Sequence, residues 1–188
     1  MKGKETIILG IDPGTSIFGY GVISVIDNNI KLIALGSVIL NKLENQQLKL
    51  KHIFERVTYL ADEYKPDFCA VEAPFFGQNV QSMLKLGRAQ GVSMVAVLMR
   101  DIPVVEYAPK KIKQAVTGNG NASKEQVAKM LQIICKFDQM PKNLDATDGL
   151  AAAVCHHYQS RSGFSNTGKK NSWENFIKAN PKRVIKKK

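Results

Sequence analysis

The chain has 188 residues, 44% of them hydrophobic, a length and composition that suit one domain with a sizeable buried core. No apolar stretch is long enough to span a membrane, and three cysteines without a CxxC pair argue against a zinc site or a disulfide framework. We therefore expect a cytoplasmic protein in which Cys69, Cys135 and Cys155 are reduced core residues.

The formal charge of +11 is distributed unevenly. Residues 160–188 carry nine Lys and Arg against one Glu, whereas the other 159 residues carry 18 basic and 15 acidic side chains. A basic segment of this kind is typical of nucleic-acid-binding proteins, and it also occurs as a solubility tail or a ribosomal-type extension. We expect a folded domain over residues 1–159 and a basic, disordered tail over residues 160–188.

Residues 6–23 predict a strand, a turn and a second strand. The apolar, largely β-branched run that ends at Asp12 is typical of a central strand buried on both faces. Pro13-Gly14 is a turn pair, and turn preference alone would also explain Asp12 as a side-chain cap. In the second strand, Gly19 and Gly21 leave bare backbone that another element can approach closely.

Beyond the hairpin, strand-like and helix-like periodicities alternate. Ser123, followed by Gln126 three positions later, has the capping-box pattern that opens a helix. Gly87 and Gly91 lie inside a predicted helix, where glycine is unfavourable, so we expect the sheet or another subunit to approach there. The pattern predicts strands over 31–40, up to Glu72 and over 103–107, and helices over 42–64, 80–100, 109–118, 123–135 and 145–159.

Acidic residues stand at the ends of several predicted elements. Asp12 ends the first strand, Glu72 ends the fourth, and Asp145 and Asp148 begin the last helix three positions apart. A spacing of three places both helical carboxylates on one face. We therefore predict that these residues, called the four acids below, can converge on one point.

Carboxylates without His or Cys neighbours favour hard cations, so we expect magnesium or manganese rather than zinc. Two ions about 3.5–4 Å apart can hold a phosphodiester and stabilise the attacking and leaving oxygens. Lys113 or Lys124 can add positive charge to the transition state or hold a phosphate. Lys124 lies in the first turn of its helix, where a cation opposes the helix dipole, which indicates another role. This combination predicts a nuclease.

Two pairs of aromatic residues need separate interpretations. Phe75 and Phe76 follow Glu72 in a loop that contains Pro and Gly. Adjacent aromatic residues rarely both face the core, so one of them is a candidate for stacking on a base. His156 and His157 point in different directions, and we predict surface residues or helix-dipole partners rather than a joint metal site.

Four segments, in this order and spacing, resemble the RuvC family of Holliday junction resolvases: IDPGTSIFGYGVI, VEAPFFGQNVQSMLKLGRAQGV, VVEYAPKKIKQAVTGNG and LDATDGLAAAVCHH. The resemblance covers about residues 6–158. It implies an α/β, ribonuclease H-like fold with a five-stranded mixed sheet flanked by helices. It also implies a homodimer that binds four-way junction DNA and cuts two opposed strands symmetrically during DNA recombination and repair, together with a branch-migration complex of the RuvA and RuvB type.

The same resemblance assigns roles to individual residues. Lys113 and Lys124 correspond to the basic residues that reach the scissile phosphate or the adjacent backbone, and Phe75 to the aromatic residue near the junction centre. Residues 80–100 resemble the family's dimer contact, and the tail beyond Ser160 has no counterpart in the family core. The implied cofactor is Mg²⁺, replaceable by Mn²⁺, with two ions per site. The family's catalytic, metal-binding acids correspond to Asp12, Glu72, Asp145 and Asp148.

Three alternatives remain open at this point. The segment from Asp12 to Thr15 fits the phosphate loop of an actin-like or sugar-kinase ATPase, but that class needs a duplicated domain and leaves the other carboxylates unexplained. A non-catalytic junction-binding protein, whose acids are caps and solvated side chains, would bind DNA and never cut it. A related nuclease would cut other branched or flapped DNA.

Deleting residues 161–188 should weaken binding to DNA, because nine basic side chains are lost. Each phosphate contact in duplex DNA contributes about 0.9 to the slope of log affinity against log salt, so the slope should become shallower. The measurement is the affinity for a four-way junction at several salt concentrations. A full-length control with the nine basic residues changed to Gln should match the deletion. If the deletion leaves the salt slope equal to that of the intact chain, the tail does not contact phosphates.

Overall fold

The computed structural model describes residues 4–74 and 79–164, with side chains described as far as Arg161. Residues up to Tyr158 form one compact unit, and residues 159–164 continue its last helix. The rest of the expected tail lies outside the described residues. The strands are β1 (Thr6–Asp12), β2 (Ile17–Ile26), β3 (Asn29–Ile39), β4 (Phe68–Glu72) and β5 (Val104–Tyr107), and the helices are α1 (Gln46–Tyr64), α2 (Val80–Leu98), α3 (Pro109–Thr117), α4 (Lys124–Cys135) and α5 (Asp145–Phe164).

The five strands form one mixed sheet in the order β3-β2-β1-β4-β5, which confirms the predicted fold class. β1, β2 and β3 pair antiparallel, whereas β4 pairs parallel with both β1 and β5. Helices cover both faces. Leu9 and Val71 face a core shared with α1 and α2, and Ile8 and Ala70 face a core shared with α3, α4 and α5. The central strands are therefore apolar on both sides, as their composition predicted.

Helix ends follow local capping chemistry. α4 begins with the predicted capping box, in which Ser123 Oγ accepts from the Gln126 amide at 3.3 Å and Gln126 Oε1 accepts from the Ser123 amide at 2.8 Å. α1 begins at Gln46 rather than at residue 42, because the Asn45 side chain caps it by accepting from the Leu48 amide at 2.9 Å.

Helix α5 lies directly on the backbone of β1 and β2. A Cβ atom added at Gly10 would overlap the Gly149 carbonyl oxygen, and one added at Gly21 would lie 2.6 Å from Leu150 Cα. From the helix side, a Cβ atom on Gly149 would lie 2.5 Å from Tyr20 Cα. Contacts this short are not found for real Cβ atoms, so glycines on both surfaces are required. The close approach expected at the β2 glycines is confirmed, and α5 is the element that makes it.

One expectation about buried and exposed residues was wrong. His156 and His157 are buried, with 5% and 6% of their surface exposed, because α5 crosses the sheet with both residues against the core. Gly87 and Gly91 have open space where a side chain would be, so of the two neighbours expected there the sheet does not approach them within the described unit, and another subunit stays a prediction. The three cysteines are buried and free, as predicted.

No helix in the described part of the chain is long and apolar enough to cross a membrane.

Replacing Gly10 with Ala should destabilise the protein by about 3 kcal/mol, because the methyl group has no space beneath α5. Gly118→Ala provides a comparison, since Gly118 has a φ of 76° but open space around it, and the backbone strain alone should cost about 1 kcal/mol. Chemical denaturation of both variants measures the difference. Equal losses would contradict the close packing of α5 against β1.

Candidate active site

The sheet brings two carboxylates to one edge. Asp12 and Glu72 end the parallel neighbours β1 and β4, whose register pairs Ile11 with Val71 immediately before them. Side chains alternate along a strand, so Asp12 lies on the same face as Ile8, and Glu72 on the same face as Ala70. That is the face covered by α5.

The first turn of α5 contributes the other two carboxylates. The side chain of Asn143 accepts from the Asp145 amide at 3.0 Å and supports the start of the helix. An added Cβ atom on Gly19 would overlap the Asp145 carbonyl oxygen, so the helix begins against the backbone of β2. Asp145 and Asp148 point to one side, where both contact the same lysine. The prediction that they share a helix face is confirmed.

The four acids line one open cleft with a volume of about 600 Å³. Lys113 of α3 and Lys124 of α4 line it as well, so six of the seven predicted site residues surround one space. The seventh, Phe75, lies outside the described residues. The turn after β1, the strand end before Pro74 and the starts of three helices thus form a single site.

Lys124 is the central cation of the cleft. Its ammonium group donates a hydrogen bond to Asp145 Oδ1 and lies 2.6 Å from Asp148 Oδ2. Burial alone would lower the pKa of Lys124, but the hydrogen bonds to both carboxylates outweigh burial and raise it. Lys124 therefore stays charged and offsets part of the negative charge of the cleft.

The carboxylates that end the strands are forced towards their neutral forms. Burial, followed by repulsion from Asp148, raises the pKa of Asp12 to about 7. Burial, followed by repulsion from Asp12, raises the pKa of Glu72 to about 8, and attraction to Lys113 and Lys124 opposes this shift. Burial also raises the pKa of Asp148, although its hydrogen bond to Lys124 lowers it. The positive charge of Lys124 therefore does not fully offset the negative charge of the four acids.

The chemistry of the cleft fits a divalent metal ion. Its donors are carboxylate oxygens, which hard cations prefer, and the pKa values of Asp12 and Glu72 are raised by burial first and by repulsion from neighbouring acids second. In the arrangement seen here, no three acidic, His or Cys side chains of the described residues converge tightly enough to hold an ion. In this arrangement Lys124 is the partner of Asp145 and Asp148.

Gln90 is a site residue that the sequence analysis missed. It lines the cleft from α2, is only 7% exposed, and donates from Nε2 to Glu106 Oε2 at 2.6 Å. A glutamine within an apolar helix stretch was the available signal, but sequence alone does not show that Glu106 of β5 lies opposite. Outside the lining of the cleft, the sequence analysis also missed the contact between Tyr107 Oη and His156 Nδ1, which lie 2.8 Å apart.

Comparison with known proteins gives one consistent family. A family model described as crossover junction endodeoxyribonuclease RuvC matches residues 8–156. The protein of that name from Christiangramia forsetii is 59% identical over 182 residues, covering 96% of this chain and 94% of the relative. The one from Porphyromonas gingivalis is 55% identical over 188 residues, covering 98% of this chain and all of the relative.

Solved structures agree with this result. Thermus thermophilus RuvC in complex with Holliday junction substrate has a TM-score of 0.78 and 31% sequence identity, covering 84% of this chain and 96% of that chain. The yeast mitochondrial Holliday junction resolvase has a TM-score of 0.58 at 15% identity, covering 92% of this chain and 83% of that chain, and it shows the fold alone.

Asp12→Asn should stabilise the metal-free protein at pH 8. Because folding raises the Asp12 pKa from 3.8 to about 7, the wild type loses stability as pH rises from 4 to 7. The amide avoids this loss, and we expect a gain of about 2 kcal/mol, or about 6 °C in Tm. Thermal unfolding with a chelator at pH 4 and pH 8 measures it. A gain of equal size at both pH values would contradict the raised pKa.

Proposed function

The chain belongs to the RuvC family of crossover junction endodeoxyribonucleases, and we propose that the four acids form the centre with which it hydrolyses Holliday junctions. Both the family model and the near full-length relatives carry the name of this activity. The enzyme therefore acts in DNA recombination and repair. Family membership also leaves no support for an ATPase or a non-catalytic binding protein.

One observation carries the assignment of the site. The ends of two parallel strands and the first turn of α5 meet in one cleft, and each contributes carboxylates that face the same space. A purely structural role does not explain this arrangement, because burial, followed by repulsion between the acids, holds the pKa values of Asp12 and Glu72 far above their ordinary range. Perturbed carboxylates grouped in a cleft are typical of catalytic sites.

Within this proposal the four acids hold Mg²⁺, with Mn²⁺ as a substitute and two ions per site. When bound, such ions supply positive charge that polarises the phosphodiester and lowers the pKa of an attacking water. The four acids provide hard oxygen ligands and keep the metal at the sheet edge. Lys113 and Lys124 bind the phosphate and stabilise the negative charge that develops during hydrolysis.

The proposed substrate is four-way junction DNA, cut symmetrically in two opposed strands. The relative from Thermus thermophilus was solved with Holliday junction substrate, and its structure covers most of this chain. Phe75 is proposed to stack near the junction centre, and the basic tail to contact phosphates. A branch-migration complex of the RuvA and RuvB type is the proposed partner, and the free, buried cysteines suit the reducing cytoplasm.

Symmetric cutting calls for two active sites, and we propose a homodimer formed through α2. Leu84, Val95 and Leu98 of this helix are about half exposed, and Val80 and Met99 at its ends are more so. Gly87 and Gly91 have open space beside them, which permits another backbone to approach. Exposed apolar side chains next to small residues are typical of a surface that another protein covers.

The test is cleavage of a labelled four-way junction beside a linear duplex of the same sequence, with magnesium. The wild type should make paired nicks in the junction and leave the duplex intact. Asp12→Asn should bind the junction with little change but reduce cutting at least about 100-fold, because the amide keeps the shape and loses the charge that attracts a cation. Asp138→Asn makes the same change at an exposed position outside the cleft and should cut normally.

Three results would contradict the proposal. Cutting by Asp12→Asn at the wild-type rate would exclude Asp12 as a ligand. Equal cutting of junction and duplex would indicate a general nuclease, and cutting that persists in a chelator would exclude a divalent metal.

A further inference from the structure

Lys124 is paired with two carboxylates in the DNA-free chain. Its ammonium group contacts Asp145 and Asp148 together; 42% of the Lys124 side chain is exposed, against 27% and 18% of the two carboxylate side chains. Water screens the exposed part of the lysine, and the two carboxylates are withdrawn from water further than the lysine is. The lysine is thus fixed between two carboxylates before any substrate is present.

The position of Lys124 in its own helix does not favour this residue. It is the first residue of α4, where Ser123 is the N-cap and where a positive charge opposes the helix dipole. Glu125, the acidic residue of the same turn, instead accepts a hydrogen bond from Ser123 Oγ at 2.7 Å. The benefit of Lys124 therefore comes from its reach into the cleft rather than from the stability of α4.

The contacts of Lys124 conflict with metal binding. The two carboxylates that accept from its ammonium group are two of the four proposed metal ligands. As placed, the described acidic side chains do not form a group able to hold an ion. A divalent cation that entered between Asp145 and Asp148 would also be repelled by the ammonium group.

We infer that Lys124 is the resident counter-ion of the metal-free site, and that binding of a divalent cation displaces its ammonium group from Asp145 and Asp148. This inference rests on the proposed role of the four acids as metal ligands. The new point is that the ammonium group of Lys124 leaves the two carboxylates at the same time as metal binds. The released ammonium group remains in the cleft that receives DNA, where it is free to bind a phosphate.

A direct consequence is that Lys124 weakens the binding of metal to the free enzyme. When metal is absent, Lys124 reduces the repulsion between Asp145 and Asp148, the two acids of α5. Lys113 provides a matched comparison, because it lines the same cleft and attracts Glu72 and Asp148. Among the ion pairs of the described residues, however, only Lys124 is paired with the acids of the cleft.

Calorimetric titration of the DNA-free, full-length protein with Mn²⁺ tests the displacement. Lys124→Gln should tighten binding about tenfold or more, because a direct competitor is removed. Lys113→Gln removes the same charge from the same cleft without removing a direct contact and should tighten binding about twofold to threefold. Lys124→Arg keeps a cation in place and should bind Mn²⁺ as weakly as the wild type.

Two results of the Mn²⁺ titrations would overturn the inference. They are equal effects of Lys124→Gln and Lys113→Gln, and weaker binding by Lys124→Gln than by the wild type. Asp148→Asn separates this result from the proposed function, since it should abolish Mn²⁺ binding whether or not Lys124 is displaced. If the wild type, Lys124→Gln and Asp148→Asn all fail to bind Mn²⁺, both the proposed metal site and the inference about Lys124 are wrong.

The reactivity of the lysine gives a second measurement without any variant. An ion-paired ammonium group resists acylation, so Lys124 should react slowly with an amine-acylating reagent when metal is absent. Adding Mg²⁺ should speed its modification several-fold, as followed by peptide mass spectrometry. Lys129 is exposed on the same helix and should react at a constant rate. A Lys124 rate that Mg²⁺ leaves unchanged or lowers would overturn the inference.

Discussion

The close contact between α5 and the backbone of β1 and β2 is the constraint on which the rest of the structure depends. It exists because Gly10, Gly21 and Gly149 have no side chains where the two layers meet. Side chains at these positions would hold the helix further from the sheet. With glycines on both surfaces, the first turn of α5 reaches the edge where β1 and β4 end. The requirements of packing and of the site are thus met by the same residues.

That geometry has an electrostatic cost. Four carboxylates share a cleft of about 600 Å³, and the pKa values of Asp12 and Glu72 rise to about 7 and about 8. A protein selected for stability alone would not gather like charges in this way. Lys124 offsets part of the cost by pairing with the two acids of α5. The remaining imbalance, which comes from burial first and from repulsion second, is the reason that we propose a divalent cation at this site.

Much of the fold could be predicted from sequence, because its signals are local. Strand ends at Asp12 and Glu72, the capping box at Ser123 and the spacing of Asp145 and Asp148 all depend on neighbouring residues in the chain. The predictions failed where distant segments decide the outcome. His156 and His157 are buried because of how α5 crosses the sheet. The partners of Gln90 and Lys124 come from other elements and leave no local pattern. The family resemblance supplied the predicted site residues, six of which the structure brings to one cleft, whereas their contacts required the structure.

The most direct test of this account is a crystal structure of the DNA-free protein soaked in Mn²⁺, with anomalous diffraction to locate the ion. The account predicts an anomalous peak among the four acids at the edge where β1 and β4 end, with the ammonium group of Lys124 turned away from Asp145 and Asp148. A strong peak elsewhere on the protein and none in the cleft, with Lys124 still paired to both carboxylates, would contradict it.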